Sequence, residues 1–370
     1  MSSMLPPSHS DGSSNGDKPL RVVLQEQGGW GRWGRRLPWI VAILAFGFAL
    51  SYRAAYDQYL QKNPRLEERY VSHSETAQQK VAIITIEGAI MHTDGFAKWQ
   101  IDQVAKDPDV KAVVVRVDSP GGTVTGSDYL FHHLKMLREG DSTGGRKIPL
   151  VVSMGGIAAS GGYYLSMAAG DVPDTIFAER TTWTGSIGVI IPHFTIADLL
   201  ESWKIQDDSV VSGPYKELGS PTQKLSPEMA KKERAILQGL VDQTFDQFKE
   251  VVAEARPQLA NNKQNFATAT TGQVFTAKQA LDLGLVDKLG FIEEAVDRAI
   301  ELANLDPRRV RVVKYERPTG FLNSVLLGSD AAAGTAPAAQ LDLSTLADLA
   351  TPRAYMLFTW LPALVVNQSN

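Results

Sequence analysis

Met154-Gly155-Gly156-Ile157-Ala158-Ala159-Ser160-Gly161-Gly162-Tyr163-Tyr164 is the stretch on which the rest of the chain turns. The apolar run 148–152 stops here in glycines and presents one serine before a new apolar segment. A buried strand that breaks at Gly155-Gly156 and restarts as a helix puts Ser160 at the helix N-terminus. Unpaired N–H groups and the helix dipole there favour an oxyanion. Ser160 is therefore a candidate nucleophile, and the plainer alternative is a glycine-rich turn whose serine caps a helix.

Outward from this stretch, short β-branched runs alternate with helical ones. Strands are expected at 81–86, 112–117, 148–153, 175–178, 187–191, 209–212 and 309–315. Helices are expected at 93–106, 124–138, 161–169, 195–202, 226–256 and 291–305. The segment 274–286 reads as a short strand, a capped helix and a stop at Gly284. Such alternation predicts an α/β domain with a mostly parallel sheet covered on both faces.

With 370 residues and ordinary apolar and charged fractions, the chain can bury a sizeable core. Its net charge of −4, from 37 basic and 41 acidic residues, supplies no basic field for nucleic acid. It has no cysteine, which excludes disulfides, thiol catalysis and cysteine-ligated metals.

Residues 1–36 are rich in Ser, Gly and Pro and read as a disordered cytoplasmic tail. Residues 37–52 carry no charge, and Trp30, Trp33, Trp39, Tyr52 and Tyr56 are placed as interfacial aromatics, so 37–53 reads as a transmembrane anchor. Arg32, Arg35 and Arg36 outweigh Arg53, which puts the N-terminus in the cytoplasm and the bulk of the chain in the periplasm, at a bacterial inner membrane. A signal peptide cut near residues 49–51 is the rival expectation. Residues 54–79 read as a solvated stalk, 80–318 as the catalytic domain, and 319–370 as a flexible linker with an apolar tail.

A serine nucleophile needs a base. None of the six histidines (His9, His73, His92, His132, His133 and His193) sits in a motif-like setting. A desolvated lysine can serve instead, because burial destabilises the ammonium. Lys216, in the Gly- and Pro-rich loop after residue 211, is the candidate; a solvated turn lysine is the plain alternative. Ser119-Pro120-Gly121-Gly122 forms a tight turn whose amides can approach a substrate closely, so the amide of Gly122 or Gly121 and that of Gly161 are assigned to an oxyanion hole.

Five stretches in order resemble the signal peptide peptidase A family of serine-lysine peptidases, whose catalytic domains are similar to the Clp protease and crotonase fold. They are Asp118-Ser-Pro-Gly-Gly122, Ala159-Ser-Gly-Gly-Tyr-Tyr164, Thr184-Gly-Ser-Ile-Gly-Val189, Ser212-Gly-Pro-Tyr-Lys216 with Gly219-Ser-Pro221, and 272–287. The resemblance covers residues 80–318 and implies a βα superhelical fold, Ser160 as nucleophile, Lys216 as general base and Ser186 as the hydroxyl that orients the lysine amine. It implies no cofactor and no metal. The chain resembles a short, single-repeat form, so its dyad is completed within one subunit or by a neighbour in a homo-oligomer. Glu179-Arg180 departs from the family's usual Asn-Pro, and 169–175 is longer than its usual turn.

The expected function is membrane-anchored endoproteolysis of remnant signal peptides and other membrane-derived peptides at the bilayer. Ile187, Gly188, Val189 and Val124 are expected to line the substrate cleft, since they are small or aliphatic and uncharged. A crotonase-fold enzyme acting on acyl-CoA and a non-catalytic membrane scaffold are the alternatives. The tail 355–366 has the apolar character of such substrates and can enter a cleft at high effective concentration, or pack on the domain or on lipid.

Overall fold

The computed structural model describes residues 30–60, 66–317 and 354–358. Of the tail expected to be disordered, 1–36, residues 1–29 lie outside the described residues, as does most of the 319–370 segment, while 30–36 are not disordered but form the start of a helix that continues into the apolar segment. The chain divides into two units, residues 1–62 and 63–370. In the first, helix α1 (Trp30–Leu60) contains an 18-residue window, Arg36–Arg53, long and apolar enough to cross a membrane.

The second unit is a mixed α/β domain. Its strands are β1 (Glu67–His73), β2 (Gln79–Glu87), β3 (Val110–Ser119), β4 (Gly121–Thr123), β5 (Leu150–Ala159), β6 (Ile176–Ala178), β7 (Trp183–Gly185), β8 (Val274–Thr276), β9 (Lys288–Leu289), β10 (Val310–Glu316) and β11 (Tyr355–Leu357). Its helices are α2 (Phe96–Lys106), α3 (Val124–Glu139), α4 (Gly161–Ser166), α5 (Ala197–Ser202), α6 (Pro227–Ala255), α7 (Pro257–Asn261), α8 (Lys263–Ala269), α9 (Ala277–Leu283) and α10 (Ile292–Leu302).

The main sheet runs β1-β10-β2-β3-β5-β6-β9. All its pairs are parallel except β1 with β10. Each βα unit from β2 to β6 lays its strand beside the last, so the units advance in one direction across the sheet. Period-2 alternation sorts the side chains. Ala82, Ile84, Val113, Val115 and Val152 join the larger core with helices α3, α4 and α6, while Val81, Ile83, Ala112, Val114 and Val151 join a second cluster under α10. Burying each Val or Ile contributes about 1.5–3 kcal/mol, which fixes the strand register strongly because both faces are apolar.

Four expectations are corrected. Residues 67–73, read as stalk, form edge strand β1, paired with β10. Its residues are almost all exposed, which is how a charged segment belongs to a sheet without any apolar face. The strand after residue 148 does not stop at Gly155-Gly156 but continues to Ala159, with a register shift against β3 beyond Met154. Residues 187–191 and 209–212 form no strand: the pairing segment is β7, just upstream, and 206–211 is exposed coil. The helix after Ser160 has six residues and passes into a 3-10 turn at Met167–Ala169.

Arg256 ties the end of α6 to the segment 284–287. Its guanidinium donates to the Gly284 carbonyl and pairs with Asp287 at 2.7 Å, and Asp287 accepts from the amides of Thr175 and Ile176. Burial opposes the Arg256 charge, but Tyr163 and Asp287 outweigh it and hold its pKa above the ordinary value.

Candidate active site

Ser160 stands between β5 and α4 with φ 53° and ψ −113°, a conformation that L-residues rarely adopt and that costs about 1–3 kcal/mol. Its side chain makes no capping bond to α4, so the plain role of helix cap does not hold. The residue is 1% exposed. Its amide donates to the Gly185 carbonyl at 2.8 Å, continuing the parallel pairing of Ala159 with Gly185. That bond places β7 and its next residue, Ser186, alongside Ser160. Ser186 is also buried, also at positive φ (51°), and its amide donates to Gln273 at 2.7 Å.

The glycine turn packs against the same point. Gly121 has φ +99°, and a Cβ there would lie 2.6 Å from the Gly161 amide nitrogen and would run into the Met356 carbonyl oxygen. A Cβ on Gly161 would lie 3.1 Å from both the Gly122 nitrogen and that oxygen. Backbones this close require glycine. The structure thus brings Gly121, Gly122 and Gly161 together beside Ser160, leaving two amides able to face one oxygen. Ser119 braces the turn, donating to the Gly88 carbonyl at 2.6 Å and accepting from the Gly121 amide.

Lys216 makes no hydrogen bond with Ser160 or Ser186 among the described residues. It lies exposed in its loop, and among the described residues no hydrogen bond or ion pair reaches its ammonium. The loop is tied to α6 through the Gly219 amide and the buried carboxylate of Glu233, 3.4 Å apart. Around it stand exposed apolar side chains, among them Phe194 (77%), Trp203 (65%) and Tyr215 (43%).

Of the residues expected to line the cleft, Ile187 is wholly buried in the main core, Val189 and Val124 pack partly against that core, and Gly188 approaches Gly272. The next residue, Ile190, exchanges two backbone hydrogen bonds with Tyr355, each 2.9 Å. Nothing in a single aliphatic run distinguishes the residue that pairs through its backbone from the one whose side chain faces the core.

Two features escaped the sequence. Ser127 on α3 is fully buried, its hydroxyl has no partner among the described residues, and it faces Gly161. Glu179, one of the departures from the family pattern, pairs with Arg116 at 2.5 Å, and Arg116 also reaches the Ser153 hydroxyl. No group of three or more His, Cys, Asp or Glu residues able to hold a metal occurs among the described residues.

A strained serine at a strand-to-helix turn, flanked by glycine amides, defines a serine hydrolase site. The chain belongs to peptidase family S49, a serine-type peptidase family whose sequence pattern matches residues 144–306. It is 38% identical over 255 residues to slr0021 of Synechocystis sp., named as a candidate protease, covering 69% of this chain and 85% of that protein. It is 33% identical over 231 residues to the chloroplastic serine protease SPPA of Arabidopsis thaliana, covering 62% of this chain but only 32% of that much longer protein. The resemblance to the signal peptide peptidase A family thus stands. A weaker likeness, TM-score 0.33 at 15% identity, extends over 58% of this chain and 94% of a point mutant of ClpP1 from Listeria monocytogenes.

Proposed function

We propose that this peptidase is a membrane-anchored endopeptidase that cuts apolar, membrane-derived peptides, remnant signal peptides among them, through an acyl-enzyme on Ser160. The observation that carries this reading is the convergence of Ser160 with the amides of Gly122 and Gly161. In the first step Lys216, neutral, takes the Ser160 proton as Oγ attacks the scissile carbonyl, and Ser186 orients the amine. The amides of Gly122 and Gly161 hold the oxyanion, and water then releases the acyl group. The apolar window of α1, with Arg32, Arg35 and Arg36 at its N-terminal end against Arg53 at the other, supports an anchor with its N-terminus in the cytoplasm and catalysis in the periplasm.

Because Lys216 is exposed in the single chain and no hydrogen bond or ion pair reaches its ammonium among the described residues, the reading extends to a dyad completed between copies of a homo-oligomer. The exposed Phe194, Trp203 and Tyr215 around the lysine loop supply a surface for that contact.

The test is hydrolysis of an uncharged peptide by the full chain in detergent. Ser160→Ala, Lys216→Ala and Lys216→Arg each abolish turnover with the far-UV dichroism unchanged, the last because a guanidinium cannot be deprotonated. Retention of more than about a tenth of kcat/KM by Lys216→Ala removes the lysine from its role.

A further inference from the structure

We infer that the Ser127 hydroxyl is a third hydrogen-bond donor to the oxyanion, alongside the amides of Gly122 and Gly161. The inference rests on the Ser160 reading above. Ser127 is 0% exposed, and its Oγ has no hydrogen-bond partner among the described residues. Leaving a buried hydroxyl unpaired costs about 1–3 kcal/mol, so a native structure that keeps one calls for a reason.

A helix offers a ready partner that Ser127 does not take. A serine or threonine inside a helix often donates to the carbonyl four residues back. Ser166 does so to Gly162 at 2.7 Å, Thr244 to Leu240 at 2.9 Å and Thr268 to Gln264 at 2.9 Å. Ser127, in the first turn of α3, makes no such bond to Thr123 and faces α4 instead: a Cβ built on Gly161 would run into its Oγ. The same Cβ position is 3.1 Å from the Gly122 nitrogen. The hydroxyl and the two amides therefore border one small space beside Ser160. The neighbours of Ser127 hold it there. Thr123 caps α3 by accepting from the Gly126 amide at 3.1 Å, and Gly126 is a glycine because a Cβ would come within 2.8 Å of the Thr123 Oγ1. On the other side, Asp128 accepts from the Tyr164 hydroxyl at 2.7 Å, which ties α3 to α4.

The chemistry gives such a donor its use. As Ser160 Oγ bonds to the scissile carbonyl carbon, the π pair of that carbonyl moves onto its oxygen. A hydrogen bond to the resulting oxyanion is charge-assisted, roughly twice as strong as one to a neutral acceptor, and stronger still where water is excluded. Ser127 keeps its proton throughout, and the bond weakens again when the pair returns and the amine leaves. Its gain is thus largest in the transition state, which is where a donor raises kcat without tightening substrate binding.

Ser127→Ala and Ser127→Cys in the full chain in detergent test this, assayed on an uncharged peptide and on a peptide boronate, which a serine nucleophile converts to a tetrahedral anion. Ser127→Ala is expected to lower kcat about 100-fold with KM changed less than about twofold, and to weaken boronate inhibition in proportion. Its Tm is expected to hold or rise, because the hydroxyl removed has no partner in the resting protein. Ser127→Cys, close in shape but a weak donor, is expected to lose kcat as well. A rise in KM alone, parallel losses of kcat and Tm, or an unchanged kcat each overturns the inference and, with wild type active, leaves the peptidase reading standing. A wild type that neither hydrolyses the peptide nor binds the boronate through Ser160 overturns both.

Discussion

Ser160 and Ser186 stand side by side at the ends of two paired strands, β5 and β7, each the first residue after the pair Ala159 and Gly185 and each at positive φ. The backbone bond from Ser160 to Gly185 locks that neighbour relationship, so Ser186 is set next to Ser160 by sheet register. An L-residue at positive φ is tolerated only where surrounding structure holds it, and here both strand ends are buried.

In the mechanism proposed above the Ser186 hydroxyl acts on the base and not on substrate binding, so Ser186→Ala should lower kcat by about 10- to 100-fold with little change in KM. The discriminating readout is the pH profile of kcat/KM. A hydroxyl that orients the lysine amine shifts the rising alkaline limb when removed; a merely structural serine leaves the limb in place and lowers the whole curve or the Tm.

Much of this arrangement was legible in the sequence because both faces of the central strands are apolar, and β-branched runs separated by helical periods then have one reading. The capping box at Thr276 and Gln279 and the left-handed Gly284 are likewise local chemistry, visible in a few residues and formed as expected. What escaped depends on pairing across long separations. Strand β1 is polar on both faces and becomes a strand only because β10, far along the chain, offers it an edge. The run 187–191 has the composition of a strand, yet its bridge among the described residues is with Tyr355, and no local pattern announces a partner that distant. At Ser160 the residue type and its glycines were readable; the unusual backbone dihedrals were not.

Lys80 bridges Glu68 of β1 at 2.7 Å and Asp107 after α2 at 2.9 Å, and so ties the edge strand to the sheet. Burial raises the Asp107 carboxyl pKa, but the Lys80 hydrogen bond, the Asp109 amide and the charges of Lys80 and Arg146 outweigh it, leaving it below the ordinary 3.8. Burial likewise lowers Lys80, and the bonds and charges of Glu68 and Asp107 outweigh that and raise it above 10.5. The Asp107 contribution is full above pH 3.8 and is lost as pH falls through the depressed value; that of Lys80 is full below 10.5 and is lost as pH rises through the raised value. Asp107→Asn should cost about 2 kcal/mol at pH 7, a Tm drop of about 4–8 °C. The gap from wild type should close as the pH approaches about 2. Thermal unfolding of both proteins in detergent at pH 7 and about 2.5 checks the sign, and a gap that persists in acid means that the loss is one of packing and not of charge.

The exposure of Lys216 in the single chain makes the dyad's ownership worth measuring. Ser160→Ala and Lys216→Ala are each expected to be inactive alone. If Lys216 serves a neighbour's Ser160, an oligomer assembled from equal parts of the two variants contains interfaces where an intact serine meets an intact lysine. Random assembly places each intact residue at a given interface half the time, so about a quarter of wild-type kcat is recovered on co-expression. If the dyad belongs to one chain, every site in the mixture lacks one member and activity stays at the background of the single variants. Separate expression followed by mixing after assembly should recover nothing in either case, unless subunits exchange, which makes it the control for contaminating peptidase. Recovery near a quarter, absent from that control, assigns the base to the neighbour. Background in both places Lys216 within the same subunit, and then the loop from residue 203 to 225 must close over the cleft before Ser160 can act.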